Sequence, residues 1–376
     1  MSTYHHTGGE TQMDARNQTA AGDPDAGTRP RPVLMIPARR CGSHALRLRL
    51  NLSQQFYAPY PLHIVDFLPI VPGYGDLEDD DAYLRMVVDV VGLHAASMVK
   101  WPDVVFDPVE VFESIRDGPR SVHRIVWELH LQAAEQHGAA VVMDKSLDSV
   151  HYADDMLRLF PQLLFLNVVR DPRAQVASMN RAIIYDFDTL LNAERWVAGH
   201  RAAQSLVDRF PEQVLTIRYE DFLADQEAVL RVVCAFFRIR YDQQMLDIGR
   251  SAEAGRISQL SELWSSNHLP PVVANSDKFR KELSMAQIEL IETLTKDYMG
   301  RYGYELMTDA DTAISGTARV VAQDRSDAGR HRAWRDLEHV DFRDFLLRQY
   351  RTDYLASVRG RLERAGLGTA APGGPR

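Results

Sequence analysis

Four short apolar runs, each next to a longer helical pattern, constrain the fold of this chain more than any other feature. They are PVLMI (32–36), AAVVM (139–143), LLFLNVV (163–169) and VLTIRY (214–219). Because the runs are continuous rather than alternating, they suit strands that are buried on both faces of a parallel sheet. The alternation of strands with helices therefore predicts an α/β fold with a central parallel β-sheet flanked by helices.

The chain around these runs divides into segments of different character. Residues 1–30 are polar and lack the apolar centre of a signal peptide, so they predict a disordered leader. Residues 31–305 predict the main domain, and within it 55–135 predict a mostly helical insertion that shapes an acceptor pocket. Residues 306–365 predict a helical C-terminal extension, packed on its own domain or on a second copy of the chain, or else a mobile flap. Residues 366–376 predict a disordered tail.

Composition and charge exclude several classes of function. The net charge of −9, from 43 basic and 52 acidic residues, argues against non-specific nucleic-acid binding. The longest apolar runs are too short for a membrane span. The two cysteines, Cys41 and Cys234, have neither metal-ligand nor disulfide spacing, which favours a reducing, cytoplasmic location. The acidic run LEDDD (77–81) fits a solvated helix start better than a metal site.

The stretch PARRCGSHAL (37–46) directly follows the first apolar run. A loop between a buried strand and a helix offers free backbone N–H groups at the positive end of the helix dipole. Gly42 lets the backbone approach a ligand closely, while Arg39 and Arg40 add full positive charges. The stretch therefore predicts an anion site, and a helix start with incidental cations is the alternative. It is not a nucleotide P-loop, because the first Gly and the Lys of GxxxxGK[ST] are missing.

A second cationic strand end occurs in NVVRDPRAQVASMN (167–180). Asp171 followed by proline predicts the start of a helix, with Arg170 at the end of the strand and Ser178 about two turns further on. Two such strand ends suit a ligand that carries phosphates at two places. The alternative is that Asp171 and Arg173 only cap the helix and pair with each other.

These two stretches resemble the nucleotide-binding signature of the sulfotransferase family, which uses 3′-phosphoadenosine 5′-phosphosulfate (PAPS). RRCGSHAL is similar to that family's 5′-phosphosulfate loop, and VVRDPRAQVASM to its 3′-phosphate motif. The likeness continues in order over 139–305. It implies a P-loop-like sulfotransferase fold, a small-molecule acceptor such as a natural product, sugar or lipid, PAP (adenosine 3′,5′-bisphosphate) as product, and no metal.

The resemblance also implies roles for single residues. Arg40 would contact the 5′-phosphosulfate, Arg170 and Ser178 the 3′-phosphate, and Lys145 the transferring sulfuryl group. The chain departs from the family pattern at His44, which replaces a hydroxyl residue, and at KSL (145–147), which replaces Lys-x-Pro. The full set of residues expected to bind the donor is Arg39, Arg40, Cys41, Gly42, Ser43, His44, Arg170, Ser178, Tyr219, Lys278, Arg280 and Lys281.

An acceptor hydroxyl needs a general base, which relatives supply as His or Glu on the insertion side. His63 is the first choice because its ordinary pKa lies near neutrality, and Asp66 is the second. A polar residue that faces a neighbouring helix is the alternative role for His63. Cys41 could be a nucleophile at a helix start, but no base is indicated to activate it. Three further histidines are predicted to be surface or structural residues: His123, His130 and His151.

Two other functions remain open at this point. A kinase-like enzyme that uses ATP would need a Walker lysine and a magnesium carboxylate, and the sequence shows neither pattern. A non-catalytic protein that keeps the nucleotide fold for binding is the other alternative. The altered CGSHA and KSL segments are its best support.

Overall fold

The structure is a computed structural model that describes residues 29–37, 39–270 and 276–366. The predicted leader and tail therefore lie almost wholly outside the described residues. The strands are β1 (Arg31–Ile36), β2 (Phe56–Tyr57), β3 (Val141–Asp144), β4 (Leu164–Val169) and β5 (Val214–Arg218). The helices are α1 (Ser43–Leu50), α2 (Asp80–Ala95), α3 (Pro108–Ile115), α4 (Val122–Gln136), α5 (Ala153–Leu159), α6 (Pro172–Met179), α7 (Thr189–Arg209), α8 (Tyr219–Ala224), α9 (Gln226–Phe237), α10 (Ala252–Ser258), α11 (Phe279–Glu282), α12 (Met285–Tyr302), α13 (Ala318–Val340) and α14 (Phe342–Arg364).

The strands form one parallel sheet in the order β2-β3-β1-β4-β5. Each of the four predicted runs contributes one strand, so the predicted α/β class is confirmed. The two-residue strand β2 was not predicted, because it lies in the segment that the sequence marks as an insertion. It extends the sheet at one edge, where Phe56 pairs with Val141.

Alternate residues of the central strand enter two different cores, which explains why the apolar runs are continuous. Leu34 and Ile36 pack in a large core with residues of α2 and α4. Val33 and Met35 pack in a second core with residues of α1 and α9. Helices therefore cover both faces of the central strand β1, and both of its side-chain sets are apolar.

The acidic run at 77–81 is the start of α2. Asp79 caps the helix, since its side chain accepts a hydrogen bond from the Ala82 amide at 2.8 Å. Asp80 forms an ion pair with Arg116 at 3.1 Å. Within the described ranges, no cluster of three or more metal-ligating side chains occurs. The described helices also include none that is long and apolar enough to cross a membrane.

The predicted helical C-terminal extension is confirmed as the pair α13 and α14. Val358 and Leu362 of α14 are buried in the large core, so this helix packs on its own domain. The Tyr354 hydroxyl donates to the Asp89 carbonyl at 2.9 Å, and Arg361 pairs with the Asp89 carboxylate at 2.5 Å. The extension is thereby fixed to α2 of the segment at 55–135.

Candidate functional site

A cleft of about 510 Å³ opens at the carboxyl ends of the central strands. Lys145 directly follows β3, Arg170 follows β4 and Tyr219 follows β5, and all three line this cleft. Arg40 lines it from the loop after β1. Parallel strands bring their carboxyl ends to one edge of a sheet, which is where ligands bind in folds of this kind.

The two cationic motifs are in direct contact. The Arg40 Nε donates to the Ser178 hydroxyl at 3.0 Å, and the Arg170 Nη1 donates to the Arg40 carbonyl at 2.9 Å. The Arg170 guanidinium lies 5.0 Å from the centre of the Tyr219 ring. Among the described residues, the buried Arg170 Nε has no hydrogen-bond partner. The strand ends at 40 and 170 therefore form one site rather than two.

The loop before α1 has the backbone that close approach to an anion requires. Gly42 is the N-cap at φ 82, no side chain caps the helix, and its first turn holds no acidic residue. A Cβ on Gly42 would collide with the Tyr219 ring. The amides of Ser43, His44 and Ala45 lie in the first helical turn, where backbone N–H groups lack partners within the helix.

Positive charge dominates the donor half of the cleft, which is the part near Arg40 and Arg170. Burial lowers the pKa of Arg40, and the neighbouring Arg170 and Arg181 lower it further. The cationic residues of the lining are Arg40, Lys145, Arg170, Arg181 and Lys278. Glu282 is the acidic residue among the described lining, and it forms an ion pair with Arg181. A bound anion would relieve this concentration of charge.

The buried Lys145 and the partly buried His44 form a polar pair at the start of α1. The Lys145 Nζ lies 3.2 Å from His44 Nε2. Burial, with Arg47 as a further cause, lowers the pKa of Lys145 to about 7. Burial and Lys145 together hold the pKa of His44 well below its usual value. His44 is therefore a neutral imidazole within hydrogen-bond distance of the Lys145 amine.

His63 lines the cleft and Asp66 does not. Burial, then the charge of Lys145, holds the pKa of His63 well below its usual value, so the ring is neutral. The Leu147 amide donates to His63 Nδ1 at 3.4 Å, which is longer than a strong hydrogen bond and constrains the tautomer weakly. Asp66 is exposed and forms an ion pair with Arg351 at 3.1 Å, apart from the lining residues.

The acceptor half of the cleft, around His63, is aromatic and aliphatic. The Tyr60 ring lies edge-on to Trp264 at 5.5 Å and to His63 at 5.8 Å, and parallel to His44 at 5.6 Å. Other apolar residues of the cleft lining are Leu147, Ile184, Tyr185, Leu263, Leu269 and Pro270. The predicted insertion (55–135) contributes only Tyr60 and His63 to the described lining, so most of the described lining comes from other segments.

Four residues expected to bind the donor lie outside the lining. Arg39 forms an ion pair with Asp148 and lies below the Tyr185 ring. Cys41 is fully buried in the core, where burial raises the pKa of its thiol, which argues against a nucleophilic thiolate. The other two, both exposed on α11, are Arg280 and Lys281.

Sequence reasoning missed several lining residues. Arg181 comes three residues after Ser178, so helical spacing could have placed it on the same side. Tyr60 and Trp264 lie in segments without a motif, and only the tertiary structure brings them together. Of the three other histidines, His123 and His130 are buried and His151 is exposed. His130 packs edge-on against Trp101 at 4.9 Å, as a structural residue does.

The fold and the cleft define an α/β protein with a cleft rich in cationic residues at the carboxyl ends of its parallel strands. The model of a family described as the sulfotransferase family matches residues 32–243, which is more than half of the chain. The chain therefore belongs to the sulfotransferase family, and the predicted family is confirmed.

Solved sulfotransferase structures are similar to this chain at low identity. The sulfotransferase domain of the Synechococcus PCC 7002 olefin synthase is 22% identical, with a TM-score of 0.48 over 76% of this chain and 100% of that domain. The sulfotransferase domain from the curacin biosynthetic pathway is 16% identical, with a TM-score of 0.49 over 74% of this chain and 100% of that domain. Sulfotransferase STF9 from Mycobacterium avium is 14% identical, with a TM-score of 0.39 over 74% of this chain and 78% of that chain. No curated protein matches the chain.

Proposed function

We propose that this sulfotransferase transfers a sulfuryl group from PAPS to the hydroxyl of a small molecule with an apolar body. The observation that carries the proposal is the contact between the two motifs. Arg170 donates to the Arg40 carbonyl, and Arg40 donates to Ser178. Two anion-binding strand ends in one cleft suit a nucleotide that carries phosphates on both its 3′ and 5′ sides.

The described residues fit such a nucleotide. The unpartnered Arg170 Nε and the Ser178 hydroxyl would hold the 3′-phosphate. The amides after Gly42 and the Arg40 guanidinium would hold the 5′-phosphosulfate. ATP has no 3′-phosphate, so it would leave the Arg170 side of the cleft without a partner.

The donor supplies a sulfuryl group whose bond to the 5′-phosphate oxygen breaks as a bond to the acceptor oxygen forms. Reactions of this type depend mostly on positioning and on stabilising charge. Lys145 and Arg40 are placed to stabilise the negative charge that the leaving phosphate gains, so that PAP is released. The proposal includes no metal.

His63 would accept the proton of the acceptor hydroxyl. Its neutral ring is the form that a general base needs, and it lines the same cleft as Lys145. Asp66 is a weaker candidate, because it is exposed and paired with Arg351. The bound acceptor would have an apolar body, because aromatic and aliphatic side chains make up much of the described lining around His63 and that part of it carries no carboxylate.

Calorimetry and turnover test this proposal and separate it from its alternatives. PAP should bind much more tightly than ATP, since only PAP fills both anion sites. Radiolabelled PAPS should then label members of a panel of phenols and alkyl alcohols in preference to sugars. Tighter binding of ATP would favour a kinase-like enzyme. Tight binding of PAP without turnover on any acceptor would favour a non-catalytic binding protein.

A further inference from the structure

Helix α14 contacts the backbone of the proposed base, although it lies beyond the segment that matches the family. The match ends at residue 243, whereas α14 spans Phe342–Arg364. The Arg351 Nη2 donates to the His63 carbonyl at 3.0 Å and to the Asp66 carboxylate at 3.1 Å. One arginine therefore contacts both residues that the sequence proposes as bases.

The backbone of His63 has a conformation that needs external support. His63 lies at φ 51 and ψ 54, in the left-handed region that residues with a side chain rarely adopt. Such a conformation is strained for a residue with a side chain and persists only where the surroundings hold it. The bond from Arg351 to the carbonyl of this residue provides that support from outside the local chain.

Arg351 belongs to α14, and other residues of this helix are bonded to the domain on both sides of Arg351 along the chain. Towards the C-terminus, Tyr354 and Arg361 bind the Asp89 carbonyl and carboxylate. Towards the N-terminus, Arg348 donates to the Ser261 hydroxyl at 3.2 Å and lies 5.8 Å from the Trp264 ring of the acceptor half. The helix thus contacts the acceptor half at both His63 and Trp264.

We propose that Arg351 is a positioning residue that holds the His63 backbone in its left-handed conformation and keeps Asp66 out of the cleft. Helix α14 then helps to set the geometry of the acceptor half, in addition to packing on the domain. The inference rests on the proposed function, in which His63 accepts the proton of the acceptor. It adds that the geometry of His63 depends on a residue almost 300 positions away in the chain.

The charges around His63 allow the contact with Arg351 to be tested through the pKa of His63. Cations face it from three directions: Lys145 after β3, Arg39 from the loop after β1, and both Arg348 and Arg351 from α14. The neutral His44 adds no full charge, and the Asp66 carboxylate is held by Arg351. Removal of Arg351 takes one positive charge away, so the imidazolium becomes less unfavourable and the pKa of His63 rises.

The test compares Arg351→Met with Arg351→Lys and with Arg359→Met, which changes an exposed arginine of the same helix. Protein labelled with 13C at the histidine Cε1 gives the titration of each imidazole, and His63→Gln identifies the His63 resonance. Arg351→Met should shift that resonance, raise its pKa, and lower turnover by about 10-fold or more while the affinity for PAP is unchanged. Arg351→Lys should recover part of each effect, and Arg359→Met should match the wild type.

Three outcomes overturn the inference. The first is a His63 resonance that titrates alike in Arg351→Met and Arg359→Met. The second is a loss of PAP affinity as large as the loss of turnover, which would indicate general unfolding. The third is an equal effect in Asp66→Asn, which would place the role in the ion pair and not in the His63 carbonyl. Failure of the wild type to bind PAP refutes the proposed function separately, because the resonance test needs no ligand.

Discussion

The His44 Nε2 lies 3.2 Å from the Lys145 Nζ, and the same imidazole lies parallel to the Tyr60 ring at 5.6 Å. His44 stands where related loops carry a hydroxyl residue. A hydroxyl could accept the lysine proton, but it could not also pack against an aromatic ring. His44 therefore connects the loop that would hold the sulfuryl donor with the aromatic half that would hold the acceptor.

Binding of PAP should take up a proton when the pH is above about 7. Burial lowers the pKa of Lys145 to about 7 in the free protein, so the amine is largely neutral at pH 8. A phosphate placed beside it favours the ammonium form and raises that pKa. Calorimetry at pH 8 in buffers with different ionisation enthalpies should show uptake approaching about one proton per site, and affinity should fall as the pH rises.

The variant Lys145→Met identifies the group that takes up this proton. It should bind PAP more weakly at pH 6 and show no proton uptake at pH 8. Persistent uptake in the variant would assign the titration to another group and would contradict the role given to Lys145.

Arg170→Ala should weaken PAP binding by about 10- to 100-fold, which corresponds to hydrogen bonds between charged groups. Adenosine 5′-phosphosulfate lacks the 3′-phosphate, so its affinity should change much less. Titration of both ligands into the variant gives this comparison. Arg280→Ala removes an exposed arginine from outside the lining and is the matched control. Equal losses for the two ligands would show that Arg170 does not recognise the 3′-phosphate.

Gly42→Ala should abolish most PAP binding, whereas Gly138→Ala should not. Both glycines have positive φ, 82 for Gly42 and 64 for Gly138, so both substitutions strain the backbone. Only at Gly42 would the new methyl meet a ring, that of Tyr219, which also contacts Arg170. Thermal denaturation measures the shared strain and calorimetry the loss of binding. Similar PAP affinities in the two variants would show that the loop tolerates displacement.

The parts of the structure that depend on local pattern could be predicted from the sequence, and the parts that depend on distant contacts could not. The apolar runs predicted four strands, most clearly β1, β3 and β4, because burial on both faces leaves a continuous signal. Asp171 caps α6 as predicted, accepting from the Arg173 amide at 2.9 Å. Strand β2 was missed because two residues carry no periodicity. The Arg351 contact with His63 spans 288 positions and leaves no local trace.

His63→Ala should lower turnover by about 10²-fold or more while the affinity for PAP stays unchanged, because a general base acts on the acceptor and not on the nucleotide. The measurement is initial velocity with labelled PAPS and the best acceptor of the panel, beside calorimetry with PAP. Asp66→Asn is the control, since Asp66 is exposed and lies apart from the lining. Undiminished turnover in His63→Ala would move the base to another group.

Lys278 and Lys281 provide a comparison within one short segment. Both lysines are exposed, but Lys278 lines the cleft and Lys281 lies outside the lining. Between them, Phe279 is buried, and its ring centre lies 4.8 Å from the Arg173 guanidinium of α6. This contact fixes the segment on α6, so that Lys278 is held at the cleft and Lys281 away from it.

Lys278→Met should therefore weaken PAP binding and reduce its dependence on salt, because one cation that faces the phosphates is lost. Lys281→Met removes the same charge from the chain but should leave both quantities close to those of the wild type. Calorimetry at about 50 and 200 mM salt measures both effects, a range over which the screening of exposed charges changes strongly. If the two variants lose affinity equally, the net charge of the segment matters and not the position of Lys278 in the cleft.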